Sequence, residues 1–430
     1  MSPKSLFLIS CTLLWSCSDE FPAITTLEEA GERFVMLGLE LGEYDEYYVD
    51  SYFGPEEWRE HAKKHLRSKQ ALVQATSELS ATLEAIEPAS EEDSIRRRML
   101  LRKVRAMNAR ARMNNGEVFT FAEEAKLLLD ADLVAADFDE FDHVLDEMDS
   151  IVPGEGGLND RVDALRNSMV IPEDKLDVVF RRAIEECRQR TLDHIELPND
   201  ERFRLEYVTG VSWNGYLEYL GNNESLMSIN TDVPMTLTRA IDLGCHEGYP
   251  GHHVYNLLVD QRFLQELGWI EFQLQPLFAP AMLIHEGSAN YAVELAFPGD
   301  EGVTFQRDVL APLAGINAES VEIWNEYVVL NSQLGDHATS ATAQRYVDGE
   351  ITRDEAVQER IKYGLRTPRQ AERNVRFVEE VRSYVLNYSL GEEIVSTYID
   401  SQSSSQEDKW DAFERLINEL PTASDLTSSQ

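Results

Sequence analysis

The chain has 430 residues, with 78 acidic against 39 basic side chains and a formal net charge of −39. Its 43% apolar content is enough to bury a large core, which excludes a disordered protein. Negative charge spread along the whole chain repels phosphate backbones and anionic headgroups, which argues against nucleic acid as a partner and leaves a membrane reachable only through a covalent anchor.

The first segment, MSPKSLFLISCTLLWSC, holds one lysine, a short apolar run and then Cys17. It reads as an export signal, too short to span a bilayer as a permanent helix. Leu14-Trp15-Ser16-Cys17 approximates a lipoprotein cleavage box, with Leu8-Ile9-Ser10-Cys11 as the alternative. The expectation is a protein exported, lipidated at Cys17 and anchored to a bacterial membrane, facing the periplasm. Cys187 and Cys245 are then the thiols left in the folded part, which is no disulfide framework, and Cys245 reads as a small core residue.

From Thr26 the apolar spacing is helical, and a tyrosine-rich connection leads to Pro55. Long helical patterns cover 57–86 and 91–114. The second carries the basic run Arg96, Arg97, Arg98, Arg102, Lys103 and Arg105, expected to pair with neighbouring carboxylates as a solvated face. An acidic helix over 119–148 ends in Gly/Pro turn signals, and helices resume at 158–169 and 173–195. After Glu201 the segments RFRLEYV, WNGYLEYLG and SLMSIN predict a small antiparallel sheet. Helices return at 303–332, 338–347, 352–362 and 367–390, with Thr352 and Thr367 as caps. SQSSSQ (401–406) reads as a flexible linker, and Trp410, Phe413, Ile417 and Leu420 form one stripe of a helix that docks on the body. The fold class is mainly α, divided into a signal (1–17), a helical region (18–200), a catalytic region (201–400) and a tail (401–430).

Four histidines, His246, His252, His253 and His285, gather around CHEGYPGHHVYN and LIHEGSANYAVE, two of them followed directly by Glu247 and Glu286. The His-Glu pair is like the H-E-x-x-H zinc motif, but Pro250 stands where its second histidine belongs. On a straight helix His252 lies about 120° off the face of His246, and His253 returns to that face roughly 10 Å higher. Neither shares an ion with His246, because Zn–N bonds are about 2.0–2.1 Å long. Gly248-Tyr249-Pro250-Gly251 breaks helices, and a break there can fold the second histidine back. The clustering points to a metal site with Glu286 as partner.

The HEGYPGHH stretch followed by HEG resembles the bacterial family catalogued as domain of unknown function 885, a zincin-like group related to gluzincin metallopeptidases. SYFGPEEW (51–58), IPEDKLDVVFRRAIEECRQRT (171–191), INTDVP (229–234) and RSYVLNYSLG (382–391) extend the resemblance over most of the chain. It implies a zincin-like fold and a zinc-dependent peptidase, an oligopeptidase or a carboxypeptidase acting on peptide substrates. The implied zinc ligands are His246, His252 or His253, and Glu286; HEGSANY resembles the block that supplies the third ligand in the carboxypeptidase Taq family, and GHHVY aligned with related peptidases favours His252. Glu247, beside the first ligand, is the implied general base. Glu294 falls near the same helix face as Glu286. Tyr384, Tyr388 and His337 are candidate oxyanion donors, Tyr388 matching a family tyrosine followed three places later by glycine, here Gly391. Arg382-Ser383-Tyr384 stands where many members have Pro-Gly-Gln, and Arg382 is a candidate for a substrate carboxylate. In zincins the strand before the metal helix is a sheet edge that pairs with substrate, which assigns that role to SLMSIN with Ser228 and Asn230. Two other readings stay open: a non-peptidase amide or ester hydrolase, and an inactive zincin-fold binding lipoprotein, against which the intact Glu247 argues.

Overall fold

The computed structural model describes residues 24–133, 136–211 and 213–428, so Cys17 lies outside the described residues. Helices dominate, and one apolar core runs from Leu27 in the first helix to Leu426 near the C-terminus. Thr352 and Thr367 cap their helices through reciprocal bonds with Glu355 and Gln370. Two long helical patterns are interrupted. Residues 57–86 divide into Glu56–Lys64 and Lys69–Ala85, where Ser68 caps the second piece, and the acidic stretch divides into Phe121–Leu129 and Phe138–Ile151. The serine-rich stretch is a short turn rather than a flexible linker: the helix Leu386–Gln402 runs into it and Ser405 caps Gln406–Glu419. That last helix buries Trp410, Phe413 and Ile417 against the body. Among the described residues no helix is long and apolar enough to cross a membrane.

Five strands form two sheets. β1 (Val49–Tyr52) pairs antiparallel with β5 (Leu274–Pro276), whereas β2 (Arg202–Val208), β3 (Gly215–Tyr219) and β4 (Glu224–Asn230) stand in the order β2-β4-β3. This second sheet is mixed: β3 and β4 are antiparallel as expected, but β2 joins them in parallel. β3 and β4 form the hairpin, turning through Gly221, Asn222 and Asn223 at positive φ, while β2 runs parallel to β4 along its other side. β4 is therefore the central strand. Both its sides are spent on neighbours, so Ser228 and Asn230 are not on an edge open to substrate; Ser228 donates to Glu206 at 2.8 Å, and Asn230 donates to the carbonyls of Val211 and Trp213. Alternating patterns identify strands but not which pairs are neighbours.

Cys187 and Cys245 are joined in a disulfide, against the expectation of free core thiols. Both side chains are fully buried, and their Cα atoms lie 5.5 Å apart, within bridging range. The bond ties the helix Leu176–Leu192 to the residue before His246.

The helix Pro280–Ala296, which carries His285 and Glu286, packs along Leu386–Gln402 with glycine facing glycine. A Cβ on Gly287 would stand 2.3 Å from the Gly391 carbonyl carbon, so only glycine allows the two backbones this close. Gly287→Ala forces them apart and is expected to destabilise the protein by roughly 1–3 kcal/mol, read as a lower denaturant midpoint; an unchanged midpoint would show that the contact has slack.

Candidate metal centre

The helix Leu237–Leu243 runs into a wider turn, Gly244–Gly248, that carries His246 and Glu247, and a new helix starts at His252. Between them the chain doubles back through a cis Tyr249–Pro250 bond and Gly251, where a Cβ would lie 1.8 Å from the His246 carbonyl oxygen. The reversal brings the rings of His246 and His252 to 4.6 Å, nearly perpendicular.

Glu286 faces both rings. Its Oε2 lies 3.5 Å from His246 Nε2 and 3.5 Å from His252 Nε2, and that oxygen is buried without a hydrogen-bond partner. The other oxygen accepts from the Tyr384 hydroxyl at 2.7 Å. Glu247 is buried beside His246 and His252, with donor atoms of all three within 4.8 Å of one another. An orphaned carboxylate oxygen between two imidazole nitrogens fits a divalent cation, because the ion would supply the missing partner. Burial works against a charged His246, but the Glu286 carboxylate 3.5 Å away and the charge of Glu247 outweigh it and raise the imidazole to about 9. Burial likewise opposes ionisation of Glu286, yet His252 and His246 hold its carboxyl well below the usual range.

Behind the ligands a relay fixes His252. Its Nδ1 lies 3.0 Å from His285 Nε2, and the Gln275 carboxamide lies 3.2 Å from His285 Nδ1. A His252 that offers Nε2 to a metal carries its proton on Nδ1 and donates to His285, whose own proton then meets the amide oxygen of Gln275; the two ends of an amide are isosteric. His285 thus supports a ligand, and burial pushes its pKa well down.

His253 does not face the cluster. It is fully buried, with Nδ1 2.7 Å from Ser225 Oγ and Nε2 3.2 Å from Glu201 Oε2. Arg188 and Tyr249 also donate to Glu201; burial opposes its charge, but these partners lower it to about 2. This network bolts the histidine helix to the sheet and leaves His252 as the residue turned toward Glu286.

The remaining expectations divide. Tyr384 holds Glu286, and Tyr388 stacks edge-on beside it at 5.8 Å. Arg382 is not free for a substrate carboxylate: it is ion-paired to the fully buried Glu124, Nε to Oε1 at 2.7 Å. His337 is exposed on the helix Gly335–Val347 and is not among the residues gathered at the cluster. Glu294 is a surface carboxylate 3.9 Å from Lys409, not part of the centre.

Sequence reasoning missed Asp50. The β1–β5 register slips by one residue between Val49 and Ser51, which makes Asp50 the extra residue of a bulge. Burial, then the charge of Glu286, raises its carboxyl to about 7, while His252 opposes the shift. The Tyr216 hydroxyl donates to the Asp50 carbonyl at 3.1 Å. The tyrosine-rich composition around it was the available signal, and it marked the segment without marking this residue.

Among solved structures, the fold is similar to that of a lipoprotein candidate from Colwellia psychrerythraea, at 15% identity and a TM-score of 0.52 over 92% of this chain and 76% of that one. Weaker likenesses reach a lipoprotein candidate of unknown function from Shewanella oneidensis (12% identity, TM-score 0.44, 84% of this chain and 76% of that one) and BsuCP (13%, 0.47, 92% and 88%). No protein-family model matches the chain. No curated protein matches it either.

Imidazole binds metal only as the neutral base, so a His246 raised to about 9 carries a proton that a metal must displace. Loading the metal-free protein with a divalent cation at neutral pH is expected to release about one proton per site, and affinity should rise with pH up to that value. Calorimetry in buffers of different ionisation enthalpy measures the release; identical heats in all buffers would refute it.

Proposed function

We propose that the protein is a zinc-dependent peptidase in which His246, His252 and Glu286 hold the metal and Glu247 is the general base. The observation that carries this reading is the buried, unpartnered Glu286 Oε2 set 3.5 Å from two imidazole Nε2 atoms, with a second carboxylate beside them. Two imidazoles, one carboxylate and room for water form the donor set of catalytic zinc sites. The HEGYPGHH resemblance belongs with the same reading. Zinc bound there supplies Lewis acidity, polarising a carbonyl and acidifying water.

The chain's own groups do the rest. Glu247 holds no metal in this scheme; its carboxylate takes the proton of the attacking water and hands it to the leaving amine. Tyr384 orients Glu286 through its 2.7 Å bond. The Tyr388 phenol stands edge-on beside Tyr384, which holds Glu286, and its hydroxyl proton is the donor this reading assigns to a developing oxyanion. The relay through His285 and Gln275 keeps His252 in its ligating tautomer.

Glu247→Gln tests the scheme. The neutral amide cannot accept the water proton, so the variant should keep fold and metal while peptide cleavage falls by ~10²–10⁴-fold. A variant as fast as the parent would remove Glu247 from the chemistry. A parent that cleaves no peptide but hydrolyses esters or simple amides in a Glu247-dependent way would establish the non-peptidase alternative.

We also infer export and lipidation at Cys17. The Colwellia protein's description as a lipoprotein candidate supports it, as does the Cys187–Cys245 disulfide, a bond at home in an oxidising compartment. Cys17→Ser should move the protein from the membrane fraction to the soluble one, and unchanged fractionation would count against the anchor.

A further inference from the structure

The basic run on the helix Glu91–Asn114 pairs with carboxylates as expected, but it is not wholly a solvated face, because Arg96 and Lys103 are buried. Arg96 grips both oxygens of Glu271 at 2.8 Å, Arg102 both oxygens of Asp425, and Arg105 reaches Glu84. Lys103 is different. It is 7% exposed, and among the described residues no carboxylate or hydrogen-bond acceptor meets its ammonium group. The nearest recorded contact is aromatic, the face of Phe272 at 4.2 Å. With the Phe34 ring at 5.8 Å as its other recorded contact, the ammonium has cation–π contacts alone and is under-coordinated.

Lys103 lines a cavity. One face of its helix, Ile95, Met99 and Lys103, forms one wall, and Tyr255, Leu274 and Met282 stand around the rest. The space inside is about 80 Å³, roughly half that of an apolar cavity that holds benzene, so it takes about three or four carbon-sized groups. The first turn of Pro280–Ala296 also lines it. That turn begins at Ala279 with no side-chain cap, so its positive end adds to Lys103. The acids near the cavity are committed or peripheral: Glu271 to Arg96, Asp260 to the Tyr219 hydroxyl, and Glu419 exposed at the rim. Burial lowers Lys103 to about 8, against the pull of Glu271, which leaves it charged at neutral pH. His285 and Gln275 form the inner end, whereas His246, Glu247, His252 and Glu286 are not in the lining.

We propose that this cavity is a second ligand site that binds a small monocarboxylate with an apolar body, its carboxylate on Lys103 and its body against the apolar wall, behind the His252–His285–Gln275 relay. Arg102 and Arg98 also line the cavity, but Arg102 is held by Asp425 and Arg98 is exposed, so the buried charge is that of Lys103, which suits a monoanion; a phosphate dianion would need several more donors. The inference stands apart from the peptidase reading, because no group of the metal cluster takes part.

Calorimetry on the full chain with butanoate as probe, and butylammonium as the length-matched cation, tests it. Butanoate should bind and butylammonium should not, and Lys103→Met should weaken butanoate by about ten-fold or more, the worth of one charged hydrogen bond. Ala281→Trp, which fills the chamber, should abolish butanoate binding and decides the matter if Lys103→Met does not fold. His246→Ala should bind butanoate as the parent does, which separates this site from the metal centre. Butylammonium binding as tightly as butanoate, or butanoate binding unchanged in either cavity variant, overturns the proposal.

Discussion

The arrangement depends on one oxygen atom. Glu286 Oε2 is buried with no hydrogen-bond donor, a state that costs about 1–3 kcal/mol for a neutral group and more for a charged one. The His246 imidazole, 3.5 Å away and raised to about 9, offsets its charge. Everything around that atom serves to keep it in place. The Gly287–Gly391 contact sets the helix that carries it, Tyr384 occupies its partner oxygen, and the reversal at Gly251 delivers the second imidazole.

Much of this centre was legible in the sequence because its signals are local. The His-Glu pairs, the helix-breaking Tyr-Pro-Gly and the reading of Glu286 as partner depend on residues close in the chain. The choice between His252 and His253 rested on resemblance alone, since adjacent residues differ only in what meets them. Glu201 and Ser225, far upstream, claim His253, and no spacing rule in CHEGYPGHHVYN contains them. Arg382 failed for the same reason: its partner, Glu124, lies in the other half of the chain. The helical character of the chain followed from periodicity, and caps such as Thr352 fell where predicted. Strand order did not follow, because β2 pairs with β4 rather than with its neighbour in sequence.

The scarcity of cations gives the buried ion pairs a structural meaning. With 39 basic side chains among 78 acidic ones, a basic residue placed indoors is conspicuous. Arg96–Glu271, Arg110–Asp45 and Arg382–Glu124 each join segments distant in sequence, and each sits where an N-terminal helix meets another part of the fold. Such pairs add little net stability over apolar packing, but losing one partner strands the other. They act as registration pins between helices whose apolar faces alone would tolerate sliding.

The bulge at Asp50 separates two demands that usually conflict. In a regular ribbon every side chain answers to its cross-strand partner, so changing one disturbs the ladder. Val49, Ser51 and Tyr52 keep their partners on β5, and the surplus residue between them has none. Its identity is therefore nearly decoupled from the ribbon while it faces the charges of Glu286 and His252. A substitution at position 50 thus changes the charge felt by Glu286 while leaving the ribbon's pairing intact.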